Sequence, residues 1–153
     1  MNRHRIVLKT STFPASREII WKKLQQLSTL QHIVQPFASF TSLDSTNTVV
    51  WCEGETFKFH FKLFCLLPFG IHTINVVQFS EAAHVIYTNE VNTHVPIWNH
   101  KIYLKPIDKE TTEYTDEVEI YAGWKTTFVY IWAKMFYRHR QKKWIKLLES
   151  INS

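Results

Sequence analysis

The sequence predicts an α+β domain: a curved antiparallel sheet of six to seven strands wrapped around a long C-terminal helix, with one or two short helices after the first strand. Apolar residues recur with a period of two along much of the chain, and the period changes to 3.6 after Gly123. The turns between successive strand segments are short, which is typical of antiparallel pairing. A length of 153 residues with 45% hydrophobic residues fits one domain spanning residues 1–153.

The first part of the chain predicts one strand followed by helix. Residues 3–12 alternate as a strand does, and Pro14 ends the alternation. Ser16 is a candidate helix N-cap, and Glu18 suits the positive end of a helix dipole. An amphipathic helix is predicted to end near Ser28, and a shorter helical turn is predicted over residues 30–35, before Pro36.

The middle of the chain predicts the rest of the sheet. The alternation is clearest where Phe57, Phe59 and Phe61 lie on one face of a strand and cationic or histidine side chains lie on the other. A turn is predicted at residues 44–47 and another at residues 67–70. The predicted strands are residues 40–43, 48–51, 57–63, 71–79, 85–91, 97–104 and 112–121.

Residues 124–151 predict a long helix that must bury an apolar stripe against a face of the sheet. The sheet has to curve around this helix. The volume enclosed between the two is filled either by side chains or by a ligand.

Composition argues against several classes of protein. Gly occurs 3 times and no glycine-rich phosphate-binding motif is present, so a nucleotide-binding fold is not expected. Two cysteines, Cys52 and Cys65, form no disulfide framework or zinc site, and we expect free thiols. The histidines lack metal-ligand spacing, and neither a metal nor another cofactor is predicted. No signal peptide or membrane-length apolar run occurs, and we expect a cytoplasmic monomer.

The net charge of +5 is concentrated near the C-terminus. Residues 138–146 contain no acid and five cations: Arg138, Arg140, Lys142, Lys143 and Lys146. Aromatic residues are interleaved with them, which suggests either transient contact with an anionic membrane or a solvated helix end. The charges surround one helix without a recognition motif, so specific nucleic-acid binding is not expected.

A polar cluster is predicted on the last two strands. If residues 108 and 109 form the hinge, Ile102 faces Tyr114, His100 faces Asp116, and Trp98 faces Val118, all toward the helix. A carboxylate beside an imidazole is a candidate acid–base pair, with Tyr114 as a further proton donor. The alternative is a buried hydrogen-bonded pair that fixes the register of the sheet.

The long helix carries cations within its apolar stripe. Trp132 and Phe136 belong to that stripe, and Arg140 falls in line with them. A cation there needs a partner or must extend to solvent. Asp116 is one candidate partner for Arg140, and an anionic ligand head group is another.

Several local motifs, in order, resemble the helix-grip fold of the START-like, or SRPBCC, superfamily. They are residues 12–21 (TFPASREIIW), Pro36 with Phe37, residues 98–100 (WNH), residues 112–119 (TEYTDEVE) and residues 136–140 (FYRHR). The resemblance covers nearly the whole chain. It implies a cavity that binds lipids, sterols, hormones or polyketides, and some members of the superfamily cyclise or dehydrate aromatic polyketides.

Three functions follow as hypotheses. The first is binding of a hydrophobic or amphipathic small molecule, with this predicted set of contacts: Phe57, Phe59, Phe61, Trp98, His100, Ile102, Tyr114, Asp116, Trp132, Phe136 and Arg140. The second is a polyketide cyclase or dehydratase type of enzyme that uses His100, Asp116 and Tyr114 to handle protons. The third is an interaction protein whose cavity is filled. The residues alone leave open whether a reaction is catalysed.

Overall fold

A computed structural model describes residues 3–43 and 49–152, and it confirms the predicted fold class. The elements in chain order are β1 (Arg5–Phe13), α1 (Arg17–Leu24), α2 (Leu27–Val34), β2 (Ala38–Ser42), β3 (Thr56–Leu63), β4 (Leu67–Ser80), β5 (Val85–Asn92), β6 (Val95–Pro106), β7 (Thr112–Tyr121), a 3₁₀ turn (Gly123–Lys125) and α3 (Thr126–Asn152). No helix in these described residues is long and apolar enough to cross a membrane.

The strands form one antiparallel sheet in the order β1-β7-β6-β5-β4-β3-β2. Consecutive strands from β2 to β7 are neighbours, and β1 pairs with β7 at the far edge. The register shifts at three places: between His60 and Lys62, between Val76 and Gln78, and between Glu90 and Asn92. Irregularities of this kind bend and twist the strands that carry them, so they help the sheet to curve.

Both predicted helical segments are present, but the first ends before Ser28 and the second begins earlier than residue 30. The Ser16 hydroxyl accepts a hydrogen bond from the Ile19 N–H at 3.4 Å, as the predicted N-cap requires. Helix α1 ends at Leu24 because Gln26 adopts an extended conformation, and α2 begins immediately afterwards. Pro36 then ends α2, since the residue before a proline is disfavoured in helical conformation.

Two of the predicted strand boundaries are wrong. Residues 49–51 are not in a strand, and the predicted turn at residues 44–47 lies outside the described residues. The turn predicted at residues 67–70 instead precedes Leu67, because Phe64 and Cys65 adopt left-handed φ angles of 52° and 60°. Gly70 lies within β4, with a φ of +79°.

Helix α3 packs on β1 and β7 through its C-terminal half. The Trp144 ring lies 5.8 Å from Phe13 and 5.9 Å from Tyr114, measured between ring centroids. The Gln141 side-chain amide donates a hydrogen bond to the Lys9 carbonyl at 2.9 Å. This half of the helix therefore seals a solid core, and the N-terminal half stands over the strands farther along the sheet.

Candidate functional site

A cavity of about 330 Å³ lies between the sheet and the N-terminal half of α3. Strands β2 to β6 supply most of the wall, and α1 and α2 close one side. Its volume falls in the range of small-molecule pockets, which begins at roughly 300 Å³.

Most of the predicted ligand contacts lie on this wall. The predicted residues that line the cavity are Phe59, Phe61, Trp98, His100, Ile102, Trp132, Phe136 and Arg140. Phe57, Tyr114 and Asp116 do not line it. Phe57 packs against Trp51 instead, with ring centroids 4.9 Å apart, and Tyr114 and Asp116 are completely buried behind the wall.

Two exposed aromatic residues mark the mouth of the cavity. Phe64, in the turn between β3 and β4, is 51% exposed, and Phe128, in the first turns of α3, is 68% exposed. Both also line the cavity, so the cavity wall reaches the surface at that turn and at the start of α3.

The predicted register of β6 and β7 is wrong by two residues. The structure pairs Ile102 with Asp116 and His100 with Val118, because the turn is centred on Lys109, one residue later than the predicted pairing requires. A shift of two leaves every side chain on its predicted face. His100 consequently reaches Asp116 diagonally, and His100 Nε2 lies 2.7 Å from Asp116 Oδ1.

Asp116 is held by side chains from both the sheet and α3. In addition to His100, the Tyr114 hydroxyl lies 3.5 Å from Asp116 Oδ1, and Gln141 Nε2 donates to Asp116 Oδ2 at 2.9 Å. Although burial raises the pKa of Asp116, the Arg140 charge and the His100 hydrogen bond outweigh it and lower that pKa below its usual value. A carboxylate can only accept hydrogen bonds, so the His100 Nε2 atom carries a proton.

A second carboxylate, Glu90, extends this network along the cavity wall. Glu90 Oε1 lies 2.7 Å from His72 Nε2, and Glu90 Oε2 lies 3.8 Å from His100 Nδ1. Thr88 also donates its hydroxyl proton to Glu90. Burial raises the pKa of Glu90, but the hydrogen bond and charge of His72 outweigh it, and the net shift is downward.

The two tyrosines of the site stay protonated. Burial, followed by the charge of Asp116, raises the pKa of Tyr114, and burial raises the pKa of Tyr137 well above its usual value. The Tyr137 hydroxyl accepts a hydrogen bond from Trp98 Nε1 at 3.1 Å. Tyr137 therefore presents a neutral hydroxyl at the cavity wall.

Arg140 is buried at the cavity wall, with 8% of its surface exposed. Asp116 was one predicted partner, but no carboxylate of the described residues lies within 4 Å of the Arg140 guanidinium. Its Nε atom has no hydrogen-bond partner there. Among the other cations of residues 138–146, Arg138, Lys142 and Lys146 are exposed and Lys143 is half-buried. Membrane contact through them stays a prediction.

The sequence did not single out His72, Glu90, Tyr137 or Gln141. Alternation along β5 was the signal for Glu90, because that strand's even-numbered residues face the cavity. Within the described residues, no group of three or more His, Cys, Asp or Glu side chains is placed to hold a metal ion.

Solved structures with the same architecture cover nearly the whole chain. The Zhui aromatase/cyclase from Streptomyces sp. R1128 superposes with a TM-score of 0.74 at 14% identity, covering 96% of this chain and 94% of that one. A START superfamily protein from Mycobacterium smegmatis gives a TM-score of 0.70 at 15% identity, covering 97% and 99%. A norcoclaurine synthase point mutant from Thalictrum flavum gives 0.69 at 12% identity, covering 100% and 99%.

These likenesses establish the fold as the START-like helix grip, as the sequence motifs predicted, and at such low identities they establish the fold alone. The family is shown directly: the model for a domain of unknown function, DUF8410, matches residues 11–148, so the chain belongs to that family. No curated protein matches the sequence.

Proposed function

We propose that the protein binds a hydrophobic or amphipathic small molecule in the cavity between the sheet and α3. The observation that supports this most is the cavity itself, which is about 330 Å³ in volume and walled mainly by aromatic and aliphatic side chains. Burying about 250 Å² of apolar ligand surface, at roughly 25 cal/mol/Å², contributes about 6 kcal/mol before the costs of association. Micromolar affinity therefore needs no covalent chemistry.

A pair of variants on β4 tests this proposal. Ile74 lines the cavity, whereas Val77 is an exposed residue of the same strand. We expect wild-type protein to bind the neutral apolar dye Nile red. Ile74→Trp fills the cavity and should weaken binding by about tenfold or more, which is about 1.4 kcal/mol. Val77→Trp, the matched control, should bind as wild type does.

Fluorescence titration measures these affinities, and mass spectrometry under native conditions identifies any ligand that co-purifies. Equal binding by Ile74→Trp and Val77→Trp would place the dye outside the cavity and contradict the proposal. So would the absence of binding by the wild type.

A second candidate function is acid–base catalysis of the polyketide cyclase or dehydratase type. His100 lines the cavity and is oriented by Asp116 at 2.7 Å, and in the neutral ring the Nδ1 atom is left as the proton acceptor. The competing interpretation is that the network is structural. His100 Nδ1 lies 3.8 Å from Glu90 Oε2, and buried polar groups commonly satisfy one another's hydrogen-bonding capacity without taking part in catalysis. Catalysis would be favoured if a compound supplied to the wild type were recovered with a changed mass and the same compound were recovered unchanged from the His100→Gln variant.

A further inference from the structure

Arg140 is a buried charged group that forms no close ion pair with a carboxylate of the described residues. A guanidinium keeps its charge at any pH that the fold survives, and burying a charge is costly unless it is paired. Arg140 is 8% exposed, and it projects from α3 at the cavity wall.

The carboxylates nearby are already engaged by other groups. Asp116 accepts a hydrogen bond from His100 on one oxygen and from Gln141 on the other. The Glu90 carboxylate is hydrogen-bonded to His72 and to Thr88. Neither carboxylate comes within 4 Å of Arg140, although Asp116 acts on it electrostatically over a longer distance.

The groups that do surround Arg140 are mainly aromatic. Its Cζ atom lies 5.6 Å from the centroid of the Tyr137 ring, within the range of a cation–π contact. Tyr114 also interacts with it, both electrostatically and through a side-chain hydrogen bond. The Nε donor still has no hydrogen-bond partner in the described part of the chain. Neutral rings offset part of the cost of burying the charge, but they supply no anion.

We propose that the ligand of this cavity carries a carboxylate, and that Arg140 binds this head group. The inference rests on the proposed function, because it names the class of molecule that the cavity takes. A guanidinium matches a carboxylate with two parallel hydrogen bonds. The Tyr137 hydroxyl, on the same wall, accepts from Trp98 and donates to no acceptor in the described residues, which leaves its proton available to the head group.

The rest of the cavity suits the apolar part of such a molecule. Phe128 at the mouth and Arg140 are 12 positions apart on α3, which corresponds to about 18 Å of helix. Phe136 and Trp132 line the wall between them. An elongated acid thus fits with its head at Arg140 and its tail toward Phe128.

Two probes that differ only in the head group test the proposal on delipidated wild-type protein. Dodecanoate and dodecanol each compete with Nile red at neutral pH. We expect dodecanoate to bind about tenfold more tightly or better, because a charge-assisted pair is stronger than a neutral hydrogen bond. Arg140→Gln should remove that preference by weakening dodecanoate alone, and Arg140→Lys should keep part of it. Arg138→Gln removes an exposed cation two positions away on the same helix and should keep the wild-type preference.

The outcomes separate this inference from the proposed function. If dodecanol binds wild type as tightly as dodecanoate, the carboxylate site is refuted while the cavity proposal stands. If neither displaces Nile red from a cavity that binds the dye, the inference also fails. If the dye does not bind either, both proposals fail together. The wild-type comparison and Arg140→Lys decide the matter even if Arg140→Gln does not fold.

Discussion

Asp116 joins the sheet to α3 through a completely buried carboxylate. It accepts hydrogen bonds on both oxygens, from His100 and from Gln141, and it lies close enough to Arg140 for its pKa to be lowered by that charge. Because Gln141 also bonds to Lys9 and to Ser11, one carboxylate organises contacts between α3, β1 and β7. Asp116 is thus a positioning residue for the cavity wall.

Asp116→Asn tests that role without changing the shape of the side chain. The amide keeps one acceptor oxygen, but its NH2 group replaces the other and faces a donor, either His100 or Gln141. The substitution also removes the negative charge that acts on Arg140. We expect the free energy of unfolding to fall by about 3 kcal/mol, as for breaking a buried charged network. Urea denaturation measures the change. Asp108→Asn, at an exposed turn where the side-chain oxygen still accepts from Glu110 and Thr111, is the control and should leave stability nearly unchanged. A loss as small as the control's would show that the network carries little stability.

Among the elements, the turn between β3 and β4 is strained where it borders the mouth of the cavity. Phe64 and Cys65 both have positive φ angles, of 52° and 60°, and Leu66 N–H bonds to Leu63 C=O at 3.1 Å. This is the geometry of a type I′ turn, which strongly prefers Asn-Gly, and neither residue here belongs to the usual set. Non-glycine residues cost roughly 1–2 kcal/mol each in this conformation. The turn exposes an aromatic ring at the mouth and is less stable for doing so.

Cys65→Gly should relieve part of this strain while leaving Phe64 in place. We expect the free energy of unfolding to rise by about 1 kcal/mol, because glycine adopts positive φ without steric cost. Cys52→Gly is the matched control at an exposed cysteine whose φ is not positive, and it should be neutral or slightly destabilising. Thermal and urea unfolding measure both variants. Equal losses in the two would show that the turn is not strained.

Strand β5 shows why much of the site escaped sequence reasoning. Alternation predicts its existence, but three of its four apolar residues, Val85, Tyr87 and Val91, share one face. Ile86, Thr88 and Glu90 share the other. The usual rule places the more apolar face inward, yet here the more polar face lines the cavity and Val91 is 46% exposed. A polar inward face is an expected departure at a binding site.

Elsewhere, local patterns in the sequence were sufficient to predict which side chains face the cavity and where the long helix begins. The alternation of β3 places Phe59 and Phe61 correctly on the wall, and the change of period after Gly123 places the long helix within two residues at its start. The β6–β7 register required the conformation of the loop, which side-chain periodicity does not specify. The engagement of both carboxylates, which leaves Arg140 without one, depends on contacts between distant strands and was open to two interpretations from sequence.

At the scale of the whole molecule, α3 divides the space beneath it into a solid core and a cavity. Trp144 and Leu148 are almost completely buried at one end, whereas Phe128 is exposed at the other. The carboxylate network of Asp116 and Glu90 lies between these regions, so its charge state bears on both. Each of the two acids has a lowered pKa in the folded protein.

The stability of the molecule should therefore depend on pH in acid. A carboxyl whose folded pKa is lowered contributes stability that is fully present above its unfolded pKa, which is 4.5 for Glu90 and 3.8 for Asp116. That contribution is lost as pH falls from these values through the lower folded pKa, because the unfolded chain then binds more protons. Each group adds up to about 1.4 kcal/mol per pH unit to the slope of the free energy of unfolding.

Glu90→Gln should remove its share of the slope in this window, whatever its effect on stability at neutral pH, and urea titrations across the acid range measure that slope. Glu81→Gln, at an exposed position in the turn after β4, is the control and should retain the wild-type slope. A Glu90→Gln profile parallel to wild type throughout the acid range would show that Glu90 does not supply the linkage.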